Sequence, residues 1–575
     1  MNTSRWIVMD TDADLTLMSK VLGISQITAN VMANRGLRTK KTAYNFLMPA
    51  MEKMHDVSTM KGVLEAIELI GQAVQAGKKI VVYGDYDVDG IMSTVILHKA
   101  LSRAGAIVDY YIPHRINEGY GPNIAAILRL HETGAQLLIT VDNGISAIDE
   151  IATAVKLGME VIVVDHHDPG FDYTDDKQVR VDILPPATVI IDPKQSDCPY
   201  PFKELCAAGL SYKLAAAMGL DDDELLALAA IATICDIVEL QDENRVLVRE
   251  GLTRLNAQKH INSGLGSLIT HRGYLDKPID TFTVGFVIGP CLNSAGRLES
   301  ANEAVSLLLT QSPDERKRIS NKLCELNDTR KKLTADCINR VMINLSDTLD
   351  KILVLSDPQA HESIAGIVAG RIKEITGRPT IVLTPGDSGM KGSGRSIEGY
   401  NLFEALFEHK HLFTRFGGHP MAAGLSIPTE NVETLKVALN ADCTLVDDDF
   451  TAMYKIDREL NITDITMPLS SELAALAPFG KGNREPLFVS RKMFVQSCRV
   501  IDEKNTLIFT FKTPSGRLKG IAFGLNAAYA AAITKASLKP EGGFYIDAVY
   551  TIETNVYNGV ASVQARLVDF KNFTS

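Results

Sequence analysis

Several features that would assign this chain to a specialised class are missing from its 575 residues. No apolar run reaches the roughly 18–20 residues that a membrane-spanning helix needs. The amino terminus, MNTSRWIVMDTDAD, lacks the basic-then-apolar pattern of an export signal. The eight cysteines never form a C-x-x-C pair, so zinc sites and a disulfide framework are not expected. These absences predict a cytoplasmic protein with reduced thiols and no membrane partner.

A surplus of basic residues is missing as well. The net charge of −11 argues mildly against nucleic acid as a partner. That objection weakens if many acidic residues bind metal ions, because bound cations reverse the local field. The length predicts several domains, since a single hydrophobic core seldom grows beyond about 250–300 residues.

The most informative stretch is KKIVVYGDYDVDG at residues 78–90. Its apolar run, residues 80–83, is typical of a parallel strand that is buried on both faces. Asp85, Asp87 and Asp89 follow at every second position, so in an extended chain their side chains converge. Carboxylates held that close repel one another unless a cation lies between them. The pattern therefore predicts a divalent metal site.

Two other interpretations compete with a metal site of this kind. The spacing D-x-D-x-D-G also opens a calcium-binding EF-hand loop, but the twelfth position is Ile96 instead of glutamate and a strand precedes the motif. A solvated acidic turn is the second alternative. Only further metal-type residues at other strand ends argue against it.

From residue 78 the chain alternates strand and helix, which is typical of a doubly wound parallel sheet. Strands are predicted at 79–84, 106–112, 136–141, 160–165 and 188–192, with helices near 91–104, 122–132 and 147–157. Residues 1–75 are predicted to be a helical cap on this domain. Ligands of such sheets bind beyond the carboxyl ends of the strands.

Metal-type residues stand at several of those ends. Asp142 follows one predicted strand, and Asp165, His166 and His167 follow the next. Farther along, an apolar helix ends at Asp236. This mixture of oxygen and nitrogen ligands suits Mn²⁺ or Mg²⁺ better than zinc. Several carboxylates that can bridge suggest two ions, the usual arrangement for hydrolysing phosphate esters.

These motifs resemble those of the DHH phosphoesterase superfamily. The D-x-D-x-D block, the V-D-N-G after it, the D-H-H triplet and Asp236 resemble its four motifs, and GGHPMAAG at 417–424 resembles the signature of the associated DHHA1 domain. HRINEGYGPN, GFVIGPCLNSAGRL, GSGRS and LAPFGKGNREPLF are similar, in order, to segments of the RecJ family of 5′→3′ single-strand DNA exonucleases. Cys291 and Arg484 depart from that family pattern.

The resemblance implies an organisation of domains. It implies an α/β architecture with a parallel-sheet DHH domain at 76–311, a long connector helix at 312–346 and a smaller α/β DHHA1 domain at 347–450. From Thr451 onward, alternating apolar stretches predict only an all-β module. The resemblance makes residues 451–575 an OB-like nucleic-acid-binding barrel.

The resemblance also implies roles for individual residues. One ion would be held by Asp89, Asp142, His166 and Asp236, and the second by Asp85, Asp87 and Asp142. His167 would contact the scissile phosphate, and Asp165 would orient an imidazole. The residues implied for the 5′-phosphate and for DNA binding are Arg115, Arg297, Ser393, Arg395, Gly417, Gly418 and His419.

The function that follows is a metal-dependent 5′→3′ exonuclease that degrades single-stranded DNA to mononucleotides in repair and recombination. We expect a monomer that needs two Mn²⁺ or Mg²⁺ ions, with a helicase and a single-strand DNA-binding protein as further candidate partners. Two alternatives stay open: a DHH phosphoesterase acting on oligoribonucleotides, cyclic dinucleotides or pyrophosphate, and a scaffold without activity. Retention of every metal-type residue counts against the scaffold.

Overall fold

The computed structural model describes residues 4–173, 180–343, 345, 349–386, 389–501, 505–514, 516–524 and 543–574. The chain divides into two compact units. Unit 1 contains Met1–Met54, Ile237–Glu250 and Ala452–Ser575. Unit 2 contains His55–Asp236 and Gly251–Thr451.

Strands are found in both units. In chain order, the strands among the described residues are β1 (Arg5–Val8), β2 (Lys79–Tyr83), β3 (Ile107–Tyr111), β4 (Ala135–Val141), β5 (Glu160–Val164), β6 (Gly170–Tyr173), β7 (Arg180–Ile183), β8 (Val189–Ile191), β9 (Leu353–Ser356), β10 (Thr380–Gly386), β11 (Gly389–Arg395), β12 (Arg415–His419), β13 (Ala422–Ile427), β14 (Met453–Ile456), β15 (Arg458–Glu459), β16 (Phe488–Ile501), β17 (Thr506–Thr513), β18 (Gly516–Phe523), β19 (Phe544–Tyr557) and β20 (Val560–Thr574).

The α-helices, like the strands, are found in both units. In chain order, the α-helices among the described residues are α1 (Leu15–Leu22), α2 (Gln26–Asn34), α3 (Lys40–Leu47), α4 (Val63–Gln75), α5 (Val88–Arg103), α6 (Ile124–Glu132), α7 (Ile148–Lys156), α8 (Ala207–Ala217), α9 (Asp223–Cys235), α10 (Asp242–Ala257), α11 (Ser263–His271), α12 (Thr281–Thr283), α13 (Gly289–Leu298), α14 (Asn302–Leu309), α15 (Pro313–Ile343), α16 (Ala365–Thr376), α17 (Leu402–Glu408), α18 (Val432–Ala441) and α19 (Met467–Ala474).

Five parallel strands form the first sheet of unit 2, in the order β3-β2-β4-β5-β8. The β2 residues Ile80 to Tyr83 are fully buried, as their uninterrupted apolar sequence predicts. Helices α6 and α7 pack on one face through a shared apolar cluster, and α5 and α8 contact the strands as well. The predicted doubly wound parallel sheet is confirmed, with each strand within two residues of its expected bounds.

The second sheet of unit 2 is mixed, in the order β12-β13-β11-β10-β9. β10 pairs parallel with β9 and antiparallel with β11. Alternate β10 residues enter two apolar clusters: Ile381 and Leu383 enter one, and Val382 packs with helix α16 in the other. This is the smaller α/β domain that the resemblance implies.

The predicted connector is the long helix α15, with 31 residues from Pro313 to Ile343. It is about 46 Å long at the usual rise per residue. The Ser312 hydroxyl accepts a hydrogen bond from the Glu315 backbone at its first turn. Of the predicted end of this helix, residues 344 and 346 lie outside the described residues.

Unit 1 is built around a closed β-barrel. The strands β16-β17-β18-β20-β19 pair in sequence, and β19 pairs with β16 to complete the ring. Its interior is filled by large aromatic side chains, among them Phe488, Phe509, Phe511, Phe544 and Phe570. The predicted OB-like barrel is therefore confirmed, although 502–504, 515, 525–542 and 575 of the predicted range lie outside the described residues.

The amino-terminal segment differs from its prediction as a cap on the parallel-sheet domain. β1 pairs parallel with β14, and the buried faces of α1, α2 and α3 enter the same apolar cluster as the barrel and α19. Residues 55–75, which include α4, belong instead to unit 2. The predicted segment 1–75 is thus split, because its first apolar helices complete the core of unit 1.

A second correction concerns residues 237–250, which were predicted to lie within the 76–311 domain but belong to unit 1. The reason is the buried Arg245. It donates hydrogen bonds to the carbonyl oxygens of Phe46 at 2.8 Å and Ala477 at 2.9 Å. An Arg245 guanidinium without these acceptors would be a buried, unsatisfied charge.

Among the helices in the described ranges, none combines the length and the apolar character required to cross a membrane.

Candidate functional site

Acidic and imidazole side chains meet at the carboxyl edge of the parallel sheet. Asp85 follows β2, Asp142 follows β4, and Asp165-His166-His167 follow β5, and these three strands are neighbours in the sheet. Asp236 joins them from the end of α9. The strand order alone brings the predicted residues to one place, because parallel strands end on the same edge.

The aspartates of the D-x-D-x-D-G block do not lie on an extended chain, in contrast to the prediction. Asp87 caps the start of α5 by accepting from the backbone N–H groups of Asp89 and Gly90, and Asp89 lies in the first turn of that helix. A Cβ at Gly90 would lie 2.5 Å from the Asp85 backbone nitrogen. Glycine there allows the helix to start directly against the strand end, so the three carboxylates converge through a strand-to-helix turn.

The His166 ring nitrogen Nε2 faces three carboxylates. It lies 3.1 Å from Asp142 Oδ1, 3.7 Å from Asp89 Oδ2 and 3.9 Å from Asp236 Oδ2. Asp89 is held in place by the first turn of α8, where the backbone N–H groups of Ala207 and Ala208 donate to its carboxylate at 2.8 Å each.

Three groups of side chains place their ligand atoms within 4.8 Å of one another, as metal ligands require. They are Asp85 with Asp87 and Asp142, Asp89 with His166 and Asp236, and Asp142 with His166 and His167. Asp142 belongs to two of these groups. It holds a backbone φ of +63°, a left-handed conformation that costs a non-glycine residue of order 1–3 kcal/mol.

The carboxylates are destabilised as anions. Burial, followed by the charges of Asp87 and Asp89 respectively, raises the pKa of Asp89 and of Asp236 to about 7. Burial and the neighbouring aspartates raise the pKa of Asp85 and Asp142 well above the ordinary value. The buried Asp85 Oδ1 has no hydrogen-bond partner among the described residues. Such an oxygen-rich cluster fits a hard divalent cation.

His167 differs from His166 in its environment. Burial lowers the pKa of His166, which favours the neutral imidazole that a metal ligand needs. Burial also opposes the charge on His167, but the hydrogen bond and charge of Asp165 outweigh it and raise its pKa to about 9. Because 46% of the His167 side chain is exposed, this imidazolium can contact a substrate.

A cleft of about 770 Å³ in the same unit brings together most of the residues predicted to bind phosphate and DNA. It is lined by side chains from the parallel-sheet region, from α13 and from the second sheet. The predicted residues among them are Arg115, Arg297, Ser393, Arg395 and Gly417.

The basic side chains of the cleft crowd one another. Burial, then the charges of Arg115 and Arg330, lowers the pKa of Arg297 to about 10, and burial followed by Arg115 lowers the pKa of Arg395. Arg297 is tied to the second-sheet domain by a 3.0 Å hydrogen bond to the Ser363 carbonyl. A cluster of cations in a cleft favours an anionic ligand.

The start of helix α16 lies beside this cluster. Arg395 Nη1 lies 3.2 Å from Ser393 Oγ. A Cβ at Gly366, in the first turn of α16, would lie 2.8 Å from Arg395 and 2.9 Å from Ser393. A guanidinium, a hydroxyl and a helix N-terminus together form a phosphate-binding environment.

Two predicted residues are not among those lining the cleft. Gly418, at φ +149°, packs against its neighbouring strand, since a Cβ there would lie 2.3 Å from the Ala422 carbonyl. His419 Nδ1 accepts a backbone hydrogen bond from Met421 in the same turn. Cys291, which departs from the family pattern, does not line the cleft either. Its thiol is buried on α13 and accepts a hydrogen bond from the Asn327 side chain.

Two further residues, Tyr120 and Tyr86, lie at the site without having been predicted from the sequence. Tyr120 lines the cleft and also a hollow of about 280 Å³ beside Asp165 and His167, and its hydroxyl donates to the Asp142 carbonyl at 2.9 Å. Its position between two glycines, in EGYG, was the available signal. Tyr86, whose ring lies 4.8 Å from the Arg115 guanidinium, was hidden inside the aspartate block.

Comparison with known protein families agrees with this geometry. The DHH family, N-terminal domain, matches residues 79–234, the DHHA1 domain matches 349–444, and the RecJ OB domain matches 456–569. The three matches are non-overlapping and follow the order of the observed elements.

Whole-chain relatives extend the agreement. The single-stranded-DNA-specific exonuclease RecJ of Bacillus subtilis is 37% identical over 528 residues, covering 90% of this chain and 66% of the relative. The protein of the same name from Escherichia coli is 32% identical over 564 residues, covering 92% of this chain and 93% of the relative. The crystal structure of RecJ in complex with Mn²⁺ from Thermus thermophilus superposes with a TM-score of 0.82 at 29% identity, covering 99% of this chain and 79% of that one. With the three domains in order and this similarity along the whole chain, the protein belongs to the RecJ family.

Proposed function

We propose that this chain is a metal-dependent 5′→3′ exonuclease that hydrolyses single-stranded DNA to mononucleotides in DNA repair and recombination. One observation carries the proposal: a cluster of mutually destabilised carboxylates and a crowded arginine cleft occur in the same unit. The carboxylate cluster requires cations, and the arginine cleft requires an anion. Divalent metal ions together with the phosphate backbone of a nucleic acid satisfy both requirements.

Two Mn²⁺ or Mg²⁺ ions fit the acidic cluster. Asp89, Asp142, His166 and Asp236 would hold one, and Asp85, Asp87 and Asp142 the other. When bound, such ions activate water for in-line attack and offset charge on the reacting phosphate. The unpartnered Asp85 Oδ1 and the raised carboxylate pKa values support this assignment, because a cation would relieve both.

His167 and Asp165 supply the protein's own contribution. The exposed imidazolium of His167 would hydrogen-bond to the scissile phosphate and stabilise the charge that develops there. Asp165, whose oxygen lies 2.7 Å from His167 Nδ1, orients the ring and keeps the other nitrogen for the substrate.

The arginine cleft accounts for the direction of degradation. Arg115, Ser393 and Arg395 would bind the terminal 5′-phosphate, with Gly417 allowing the backbone of the strand to approach closely. Arg297 joins the helix beside the metal cluster to the domain that carries this pocket. A terminal phosphate held here fixes which end of the strand reaches the acidic cluster.

The barrel in unit 1 carries a surface of its own that is suited to single-stranded DNA. Lys512 and Arg517 are opposite one another on β17 and β18, and Lys519 lies two residues farther on the same face. All three are exposed, and Phe523 on that face is 60% exposed. Charge and an aromatic ring on one sheet face are typical of single-strand binding.

Single-stranded DNA is the partner that these surfaces support. The proposal extends to a cytoplasmic location and a monomeric state. The eight cysteines are free and most of them are buried, which agrees with a reducing compartment. The proposal extends also to delivery of the strand by a helicase and a single-strand DNA-binding protein.

The test is a metal-dependent assay on 5′-labelled single strands, with the matching blunt duplex as control. We expect labelled mononucleotides at the earliest times, only with Mn²⁺ or Mg²⁺, and only from the single strand. Cleavage of cyclic dinucleotides or short oligoribonucleotides, with long DNA left intact, would favour a different DHH phosphoesterase. No hydrolysis of any of these substrates in either metal would favour a scaffold.

A further inference from the structure

A short hairpin follows directly on the two histidines of the acidic cluster. β6 and β7 form a two-stranded sheet that pairs with no other described strand. It begins at Gly170, three residues after His167, so the two Cα atoms lie at most about 11 Å apart. The base of this hairpin therefore lies close to His167 along the chain.

One face of the hairpin is aromatic and basic. Phe171 is opposite Asp182, and Tyr173 is opposite Arg180, and directly opposed residues share a face. The two aromatic rings lie 5.7 Å apart edge to face, and the Arg180 guanidinium lies 4.4 Å from the Phe171 ring centre. Phe171 is 50% exposed and Tyr173 is 54% exposed.

The same face is anchored to a loop beside the metal-type residues. Asp182 accepts a hydrogen bond from the Ser196 backbone at 2.6 Å. Two residues earlier, Lys194 Nζ lies 3.8 Å from a carboxylate oxygen of Asp168, the residue that follows His167. The Arg180 guanidinium lies beside the aromatic pair and also pairs with Asp182, at 3.2 Å between its Nε and a carboxylate oxygen. The Lys194 ammonium lies beside Asp168, next to the residues of the acidic cluster.

The opposite face of the hairpin has a different character. Among the described residues of β6 and β7, its exposed side chains are Val181, Ile183 and Asp172, with no aromatic ring and no cation. Nucleic-acid strands bind through stacking on aromatic rings and through cations near their phosphates, so only the Phe171 face matches them chemically.

We propose that the hairpin face formed by Phe171, Tyr173 and Arg180 binds a nucleobase of the substrate strand, within a few nucleotides of the phosphate at the acidic cluster. Lys194 supplies positive charge toward the adjoining backbone. This inference rests on the proposed function for its ligand, a single-stranded nucleic acid. It adds a base-stacking site that acts on substrate affinity and leaves the hydrolytic step to the residues described above.

The first test compares the two faces. In the full-length protein, the double substitution Phe171→Ala/Tyr173→Ala should raise KM for a 5′-phosphorylated single strand about tenfold, as loss of base stacking does, with kcat at saturation within about twofold of the original. The matched control Val181→Ala/Ile183→Ala removes equally exposed apolar side chains from the other face and should leave KM unchanged. The pair Phe171→Tyr/Tyr173→Phe keeps both rings and should bind as the original does. Equal losses from both faces would overturn the stacking site and indicate a structural or protein-docking hairpin.

The second test removes the base instead of the ring. A strand carrying abasic nucleotides at positions two to five should raise KM for the original protein, and Phe171→Ala/Tyr173→Ala should cause no further rise on that strand. Fully additive losses would mean that the rings and the bases do not meet, which overturns the inference.

Binding without cleavage separates this inference from the proposed function. In EDTA, fluorescence anisotropy with the same labelled strand should show about tenfold weaker binding by Phe171→Ala/Tyr173→Ala and normal binding by the control pair. That result supports the stacking site even if the protein hydrolyses no DNA, which would count against the proposed function alone. Unchanged binding overturns the stacking site even if hydrolysis is normal.

Discussion

The Nδ1 atom of His167 lies 2.7 Å from Oδ1 of Asp165, while Oδ2 of Asp165 accepts a hydrogen bond from the Ile145 backbone at 2.9 Å. Asp165 is 1% exposed, so the carboxylate is fixed on both sides by the protein. Burial, the largest single effect, opposes its charge, but the hydrogen bond and charge of His167 together with the Ile145 backbone hydrogen bond outweigh burial and lower the pKa of Asp165 below the ordinary value. Imidazolium and carboxylate thus stabilise one another, and His167 keeps a defined orientation.

The first prediction concerns this pair. Asp165→Asn removes the negative charge that keeps His167 protonated and allows the ring to rotate. We expect kcat on single-stranded DNA to fall roughly 10–100-fold, the usual consequence of losing a residue that orients a ligand or contact group. Steady-state kinetics on a short, saturating oligonucleotide measure it.

The control for this variant is Asp149→Asn, which neutralises an exposed carboxylate on α7. It should leave kcat unchanged. A kcat for Asp165→Asn equal to that of the control would mean that His167 needs no orienting partner.

The metal cluster gives the second prediction. Asp142→Ala removes a carboxylate that belongs to two of the three ligand groups, so both ion sites should be lost together. We expect turnover to become undetectable in Mn²⁺, and isothermal titration to show fewer bound ions. Single-strand binding in EDTA should persist. Near-normal turnover at saturating Mn²⁺ would contradict the assignment of Asp142 as a shared ligand.

The sequence could predict this cluster because β2, β4 and β5 are apolar strands whose parallel order follows from the connecting helices. Any acidic residue directly after such a strand must reach the same edge. The local geometry of Asp87 and Asp89 was not predictable in the same way. The alternation of the aspartates suggested an extended chain, whereas Asp87 caps a helix. The pattern D-x-D-G is equally compatible with an extended chain and with the start of a helix.

The sequence patterns did not predict which distant segments of the chain contact one another. Nothing in residues 1–54 indicates that their apolar faces complete the core of a barrel more than 400 residues later. Arg245 and the carbonyl oxygens that it satisfies are equally remote in the chain. Amphipathic spacing identifies which face of a helix is buried, but it does not identify the partner.

The third prediction follows from the raised carboxylate pKa values. In the metal-free protein, Asp89 and Asp236 have pKa values of about 7 instead of 3.8, so the folded state binds more protons than the unfolded state between about pH 4 and 7. The stability of the metal-free protein should therefore fall as pH rises through this window. Bound Mn²⁺ replaces the protons, so the rise in Tm on adding Mn²⁺ should be larger at pH 8 than at pH 5.5.

Thermal unfolding at both pH values, with and without MnCl₂, measures this effect. The double substitution Asp89→Asn/Asp236→Asn removes two of the titrating carboxylates of the cluster and serves as the control. It should reduce the dependence of the metal-free Tm on pH. An equal Mn²⁺ shift at pH 5.5 and pH 8 in the original protein would contradict the prediction.

The fourth prediction concerns the end of the strand. Arg395→Ala should raise KM for 5′-phosphorylated strands more than for strands with a 5′-hydroxyl. A hydrogen bond between charged groups contributes roughly 1.5–3 kcal/mol, or about ten- to a hundredfold in KM, and it exists only when the phosphate is present. Arg371→Ala on the exposed side of α16 is the control, since its side chain is 62% exposed. Equal losses on both substrates would make Arg395 a general backbone contact.

The last prediction tests the barrel without truncating the chain, because deleting residues 452–575 would expose the core that residues 1–54 share with them. Replacing Lys512, Arg517 and Lys519 by glutamine keeps the barrel interior intact and removes three charges from one exposed sheet face. Each lost phosphate contact reduces the slope of log affinity against log salt by roughly 0.7, so the triple variant should lose about 2 from that slope on long strands.

The control Lys40→Gln/Lys41→Gln neutralises two exposed lysines of α3 and should leave the slope unchanged. On a short, saturating oligonucleotide, kcat should be the same in both variants as in the original protein. None of the substituted residues belongs to the acidic cluster or takes part in the proposed hydrolysis. A triple variant with the original salt slope on long strands would mean that the face carrying Lys512, Arg517 and Lys519 does not bind the phosphate backbone.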